Sequence, residues 1–339
     1  MTLQQQIRRN RFRSGVVVSG FVFLLLVLAG LVGFVFDVSL GVVALLLALV
    51  YAVFGVLRSR SMISGITHAQ PLDEAELGPL RRIVENVSIG AGLPVTPELR
   101  VVDDVAPNAF AAGLRPTSSY VGVTTGLLRT MPKRELEAVI AHEVAHIRNR
   151  DTYLMTMATV FAGVIALVAD LGFRTLAYGG RGRRAGAIAV VLALVGFVLA
   201  PYAALMLRLS LSRSRELLAD SGAAEILSDP EAMAMALRRL ELDTTTVRYT
   251  NASTAHLWVE SPTDRIGNER GSVLEFTSWF NTHPPIRTRI AALEEAGGFR
   301  LPERMAPDAP FAVELGLASR SRDSQQSGNS DSANADSGR

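Results

Sequence analysis

The chain has no cysteine in 339 residues. That excludes disulfides, thiolate nucleophiles and cysteine metal ligands, so any metal must be held by His, Asp or Glu. Histidine is scarce too, with five in the chain: His68, His142, His146, His256 and His283. Charged residues make up only 19%, and a net charge of +2 is too small to argue for nucleic acid as a partner. Hydrophobic residues instead reach 49%, with a mean hydropathy of +0.27, a composition that predicts membrane spans.

Four apolar runs account for that figure: Gly15 to Phe36, Val38 to Leu57, Leu154 to Phe173 and Ala187 to Leu209. Each approaches or exceeds the roughly 20 residues that a helix needs to cross a bilayer. The first is too long for the core of a signal peptide, and only Asp37 separates it from the second, so the two form a hairpin. Arg8, Arg9, Arg11 and Arg13 place the N-terminus in the cytoplasm by the positive-inside rule. Two crossings then return the chain inside near Arg58 and Arg60. The loop between the third and fourth runs holds Arg174, Arg181, Arg183 and Arg184, which conflicts with an outside location. Either the early spans dominate, or these two runs form a shallow or protein-buried hairpin.

Between the second and third runs, Asp73-x-x-Glu76 reads as a capping box before an amphipathic stretch ending at Ile89. Glu98 to Val102 and Tyr120 to Thr124 read as strands, the second ended by Gly126. Pro132 opens a helix through Glu135, Leu136, Val139 and Ile140 that runs almost directly into the third apolar run. A helix continues out of the fourth run through Glu216 to Asp220. Another spans Pro230 to Glu241, started by Ser228 or Asp229, and a last one spans Pro284 to Ala296, stopped by Gly297-Gly298. Residues 243 to 272 are polar with little periodicity. From Ser319 to Arg339 almost nothing is available to bury, so disorder is expected.

His142-Glu143-Val144-Ala145-His146 falls on the helix after Pro132 and reads H-E-x-x-H. Helical residues four apart share a face, about 6 Å from each other, which lets two imidazoles reach one tetrahedral zinc. Glu143 is rotated about 100° from His142, where it can hold a zinc-bound water without being a ligand. A catalytic zinc needs a third protein ligand. Glu216 leads on position, because Glu216 and Asp220 are spaced i, i+4, so Asp220 can orient His142 or His146 through a ring N–H. The alternatives are an ion pair of Glu216 with Arg213 or Arg215, and Asp220 as a plain surface charge. His283, ahead of Pro284, is either a loop or capping residue or a stabiliser of an oxyanion. Asn108 serves as a turn residue, Phe110 as packing, and His68 and His256 as structural residues.

Four segments together resemble the HtpX family of membrane zinc metalloproteases, related to the CAAX prenyl proteases: Pro107-Asn-Ala-Phe-Ala-Ala-Gly113, His142 to His146, Ser212-Arg-Ser-Arg-Glu-Leu-Leu-Ala-Asp220 and Thr282-His-Pro-Pro285. The resemblance covers roughly residues 1 to 300 and implies one zinc ion per chain. It implies His142, His146 and Glu216 as ligands, Glu143 as general base and Asp220 as the aspartate of the family's E-x-x-x-D. It also puts Asn108 and Phe110 on a strand beside the cleft, and His283 near the active site.

The expected fold is mainly α with a small β-sheet, a four-span helical membrane protein with a gluzincin-like metalloprotease domain. The expected layout is a transmembrane hairpin at 1–57, the two parts of the protease domain at 58–152 and 210–318, a second hairpin at 153–209 and a disordered tail at 319–339. The expected activity is zinc-dependent hydrolysis of peptide bonds in membrane or misfolded proteins at the cytoplasmic membrane face, a quality-control role. Polypeptides and the lipid bilayer are the expected partners. Substrate backbone is expected to pair with a strand edge at Asn108 to Ala112 or at Tyr120 to Val123. The alternatives are a CAAX-type prenyl protease and a non-catalytic adaptor with a closed structural zinc site.

Overall fold

The computed structural model describes residues 38–71, 78–161, 213–248, 257–259, 284–303 and 309–311, with isolated positions between 12 and 30. Nearly all of the first apolar run, the later part of the third, the whole fourth run and the arginine-bearing loop lie outside the described residues. So do Asp73 and Glu76, His256, His283, most of the 243–272 stretch and the C-terminal tail.

In chain order the named elements are α1 (Val38–Leu57), α2 (Ser59–Thr67), β1 (Gln70–Pro71), α3 (Gly78–Gly90), β2 (Glu98–Val102), β3 (Ala109–Ala112), β4 (Tyr120–Thr124), α4 (Thr125–Thr130), α5 (Lys133–Arg148), α6 (Arg213–Leu227), α7 (Pro230–Leu242) and α8 (Ile286–Gly297). Residues 151–161 are also helical. The architecture is mainly helical with one small mixed sheet.

The sheet runs in the order β1-β2-β4-β3. β2 and β4 are parallel, with Glu98 opposite Tyr120, while β3 is antiparallel to β4, with Ala109 opposite Val123. Both strands expected from the sequence are present with the expected bounds. β4, however, lies between β2 and β3, so Tyr120 to Val123 offers no free edge to a substrate. β3 is an edge strand, as β1 is on the other side. Gly122 lets Phe110 lie across β4, since a Cβ there would stand 2.3 Å from the Phe110 ring. Gly126 does not end β4: the strand stops at Thr124, whose hydroxyl caps α4 by accepting the Leu127 N–H. That hydroxyl also accepts the Asn108 N–H and donates to the Ala106 carbonyl, fixing the entry into β3.

α5 is the central helix. Leu136, Val139, Ile140, Val144 and Ile147 form one apolar stripe, and Ala138, Ala141 and Ala145 keep the remaining faces small, so it is buried all round. It lies against α3, α6, α7 and β3. Its buried Glu135 is satisfied by two bonds from Arg239 of α7, at 2.6 and 2.7 Å. Gly222 allows α6 to approach closely, because a Cβ at that position would be 3.0 Å from the Ala145 Cβ. α5 does not run on into the third apolar run. It stops at Asn149, and Arg150 takes a left-handed φ of 60° before the 151–161 helix starts.

That next helix buries Leu154, Met157, Val160 and Phe161 against Ala52, Val56 and Met62, near the end of α1. The other face of α1 stays exposed at Leu46, Leu47, Val50, Val53, Phe54 and Leu57. Among the described residues no single helix is long and apolar enough to cross a membrane. The bent pair Leu45–Leu57 and Ser59–Thr67, 71° apart, passes by length and composition.

α7 starts at Pro230 with Asp229 as its cap, accepting the Ala232 N–H at 3.0 Å. Arg134 of α5 grips the same carboxylate with two bonds of 2.7 Å. Those contacts hold the Asp229 carboxyl below the usual carboxylate range, Arg134 foremost. A depressed pKa gives stability that is present above the unfolded-chain value of about 4 and is lost as pH falls through the lower folded value. Asp229→Asn keeps a capping oxygen but loses the charge that Arg134 grips, so it should cost up to about 1 kcal/mol near neutral pH, with the difference from the parent shrinking below about pH 4. Denaturant melts at several pH values would check this, and a deficit independent of pH would contradict it.

Candidate metal centre

α5 presents His142 and His146 one turn apart, and α6, drawn close by Gly222, presents Glu216 to both. The His142 and His146 Nε2 atoms are 3.2 Å apart. Glu216 Oε2 lies 3.7 Å from His142 Nε2, and Glu216 Oε1 lies 3.5 Å from His146 Nε2. One donor atom from each of the three residues falls within 4.8 Å of the others, and all three are buried. Such a set can hold one metal ion.

The far sides of both rings are held by carboxylates. Asp220 Oδ1 is 3.0 Å from His142 Nδ1, and Asp151 Oδ2 is 3.2 Å from His146 Nδ1. A carboxylate can only accept, so in its neutral form each ring carries the proton on Nδ1 and leaves the Nε2 lone pair to face inward. Of the two rings that the sequence left open for Asp220, the structure assigns His142. Glu216 has the two histidines and Arg289 among its neighbours. Arg215 faces Asp151, at 3.7 Å.

Arg289 of α8 is the principal residue that sequence reasoning missed. Fully buried, it donates to both oxygens of Asp220, at 2.8 and 2.6 Å, and stands 3.5 Å from Glu216 Oε2. A signal was available: Arg289 adjoins Ile290 on the buried stripe of α8 that includes Leu293, and a buried arginine needs an acidic partner. Asp151 gave no such signal, because it follows the left-handed turn at Arg150 and helical spacing does not carry through it.

The charge balance favours a cation. Among the described residues, Glu143, Asp151, Glu216 and Asp220 are all buried, and Arg215 and Arg289 are the buried guanidinium groups beside them. Four carboxylates against two guanidiniums leave two negative charges in a medium where unpaired charge is expensive, and a divalent ion restores neutrality. Without one, the titrating groups have to adjust. Burial, reinforced by the Glu216 charge, pushes the Glu143 carboxyl up to about 8. For His146, burial opposes charging, but the bond it donates to Asp151 and the charges of Glu216, Asp151 and Glu143 outweigh it and raise the ring to about 9. Burial instead lowers His142. Burial also acts to raise Asp220, but Arg289 outweighs it and keeps that carboxyl below its ordinary value.

Glu143 completes the centre. It is buried on α5, and its Oε2 has no hydrogen-bond partner among the described residues. The Ala111 backbone of β3 bonds to its carboxyl. The open oxygen and the donor set together fit a metal with a water beside it. Asn108 is buried at the start of β3, where its Oδ1 accepts the Ala109 N–H at 3.0 Å. Phe110 packs edge-on against Tyr120 and Trp258, with ring centroids 5.7 and 4.8 Å away, the packing role expected of it. His68 ends α2 in a left-handed conformation.

Comparison with known proteins agrees with this chemistry. Residues 74–297 match Peptidase family M48. A protein named Protease HtpX homolog from Limosilactobacillus fermentum (strain NBRC 3956 / LMG 18251) is 34% identical over 304 residues, covering 86% of this chain and 99% of its own length. One of the same name from Listeria monocytogenes serotype 4a (strain HCC23) is 34% identical over 309 residues, with the same coverage. The crystal structure of S. mikatae Ste24p aligns with a TM-score of 0.46 at 17% identity, over 86% of this chain and 67% of that one.

If Asp151 and Asp220 orient the rings, Asp151→Asn and Asp220→Asn should each weaken zinc binding about 10–100-fold. Competition against a chromogenic chelator reads the affinity, and circular dichroism confirms that the helices persist. Affinities within twofold of the parent for both folded variants would contradict the orienting role.

Proposed function

We infer that this chain, which belongs to peptidase family M48 and within it to the HtpX proteases, is a zinc endopeptidase with one ion per chain held by His142, His146 and Glu216. The observation that carries this reading is the convergence of two imidazole Nε2 atoms and one carboxylate beside the unsatisfied Oε2 of Glu143. When bound, zinc supplies a Lewis acid that polarises a carbonyl and acidifies a water.

The chain's own residues do the rest. Asp220 and Asp151 fix the ring tautomers, and Arg289 holds Asp220 in place behind His142. Glu143 is the general base. It accepts a proton from water at its open Oε2 and passes that proton to the departing amine nitrogen. A positive charge beside it lowers its pKa from the value set by burial alone, so that it is ionised near neutral pH. His283 is the candidate for stabilising the oxyanion. The substrate lies extended along the outer edge of β3, beside Asn108 and Phe110, where main-chain bonds accept many sequences.

The apolar face of α1 and the four apolar runs support a membrane location, and the arginines before the first run support a site facing the cytoplasm. In this reading 1–57 and 153–209 are transmembrane hairpins, 58–152 and 210–318 form the protease domain, and 319–339 is a tail. The substrates are then membrane proteins or misfolded chains, as a quality-control protease requires.

Glu143→Gln should keep zinc at the parent stoichiometry while cleavage of an unstructured peptide falls by roughly three orders of magnitude or more, because general base and proton carrier are lost together. Parallel metal analysis and a quenched-fluorescence cleavage assay test this. Undiminished cleavage by that variant would end the assignment.

A further inference from the structure

β3 is an edge strand of the sheet, yet its outer edge beside the metal centre already has an occupant. Phe110 forms an antiparallel bridge with Trp258, and the Val259 N–H donates to the Ala109 carbonyl at 2.9 Å. The Val259 carbonyl accepts from Arg289 Nη1 at 3.2 Å. The same guanidinium holds Asp220 and stands beside Glu216. One residue thus spends its donor on the edge strand and its acceptor on the arginine of the site. An extended polypeptide lying at this edge would make the same two backbone contacts.

We propose that Leu257-Trp258-Val259 is an internal segment, held to β3 by a single β-bridge and seated in the substrate cleft, which an extended polypeptide must displace before its backbone can reach the metal centre. The inference rests on the metalloprotease reading above and adds its regulation. The side chains anchor the segment: Leu257, Trp258 and Val259 are all buried, and the Trp258 ring meets Phe110 at an interplanar angle of 63°. The seat is nevertheless incomplete. The Trp258 Nε1–H is buried with no hydrogen-bond partner among the described residues, an unfavourable state that release into water relieves. The three residues belong to the polar 243–272 stretch, which has no periodicity to hold it as a helix or a longer strand.

The test uses the full-length zinc-loaded protein and an internally quenched, unstructured peptide. If the segment competes with substrate, Trp258→Ala raises kcat/KM roughly tenfold through a lower KM, because the competent fraction of the enzyme increases. Trp258→Phe keeps the ring contact and stays within about twofold of the parent. A second arm follows amide hydrogen exchange in the Glu143→Gln protein, which binds the peptide without cutting it. The Val259 amide should be protected in the free protein and lose protection at saturating peptide.

The inference is overturned if Trp258→Ala, with zinc at the parent level, cleaves no faster than the parent. Unchanged Val259 protection with peptide bound overturns it too, and that arm decides the matter if Trp258→Ala loses zinc or fold. Absence of cleavage by zinc-loaded parent and variants alike would count against the protease reading instead, while the exchange arm still reports on displacement.

Discussion

A salt bridge without access to water fixes the geometry of the centre. Arg289 reaches from α8 to both oxygens of Asp220 on α6, and Asp220 in turn fixes Nδ1 of His142 on α5. Three helices far apart in sequence are thereby set to one register at the point where the imidazoles and Glu216 converge. A buried pair of this kind adds little net stability over apolar packing, but losing one partner strands a charge in the interior. It specifies an arrangement more than it strengthens the fold. A centre that must hold its donors to within tenths of an ångström has use for such a constraint.

The same economy of charge favours a cation at this site. Glu143, Asp151, Glu216 and Asp220 sit inside the protein, and the two nearby guanidiniums neutralise half of them. Burial raises the Glu143 carboxyl, and the carboxylates of Asp151, Glu216 and Glu143 raise the His146 ring. A divalent ion removes the need for His146 to hold a second proton and leaves Glu143 free to act as a base. Ligand, orienting group and base are thus parts of one electrostatic balance.

Much of this was legible in the sequence wherever the information was local. β2 and β4 are visible as short apolar runs between turn residues. α7 announces itself by Asp229-Pro230, and the motif helix by the spacing of Leu136, Val139 and Ile140. The H-E-x-x-H spacing put His142 and His146 on one helix face, while Glu216 as third ligand was implied by the family resemblance, its own spacing leaving an ion pair open. What escaped depended on tertiary placement. β4 looked like a free edge because strand order is not written in any one strand. Asp151 acts across a left-handed residue that breaks helical counting. Arg289 lies 69 positions from Asp220. The pairing of 257–259 with β3 came from a polar stretch in which no periodic signal exists.

The central claim is that two imidazoles and one carboxylate hold a catalytic zinc with a position left for water. X-ray absorption at the zinc edge of the purified full-length protein tests it most directly. The account predicts two nitrogen neighbours with imidazole scattering at about 2.0–2.1 Å, with the remaining neighbours oxygen, one from Glu216 and at least one exchangeable. Three imidazole nitrogens with a carboxylate in a closed shell, or a protein that retains no zinc, would contradict it.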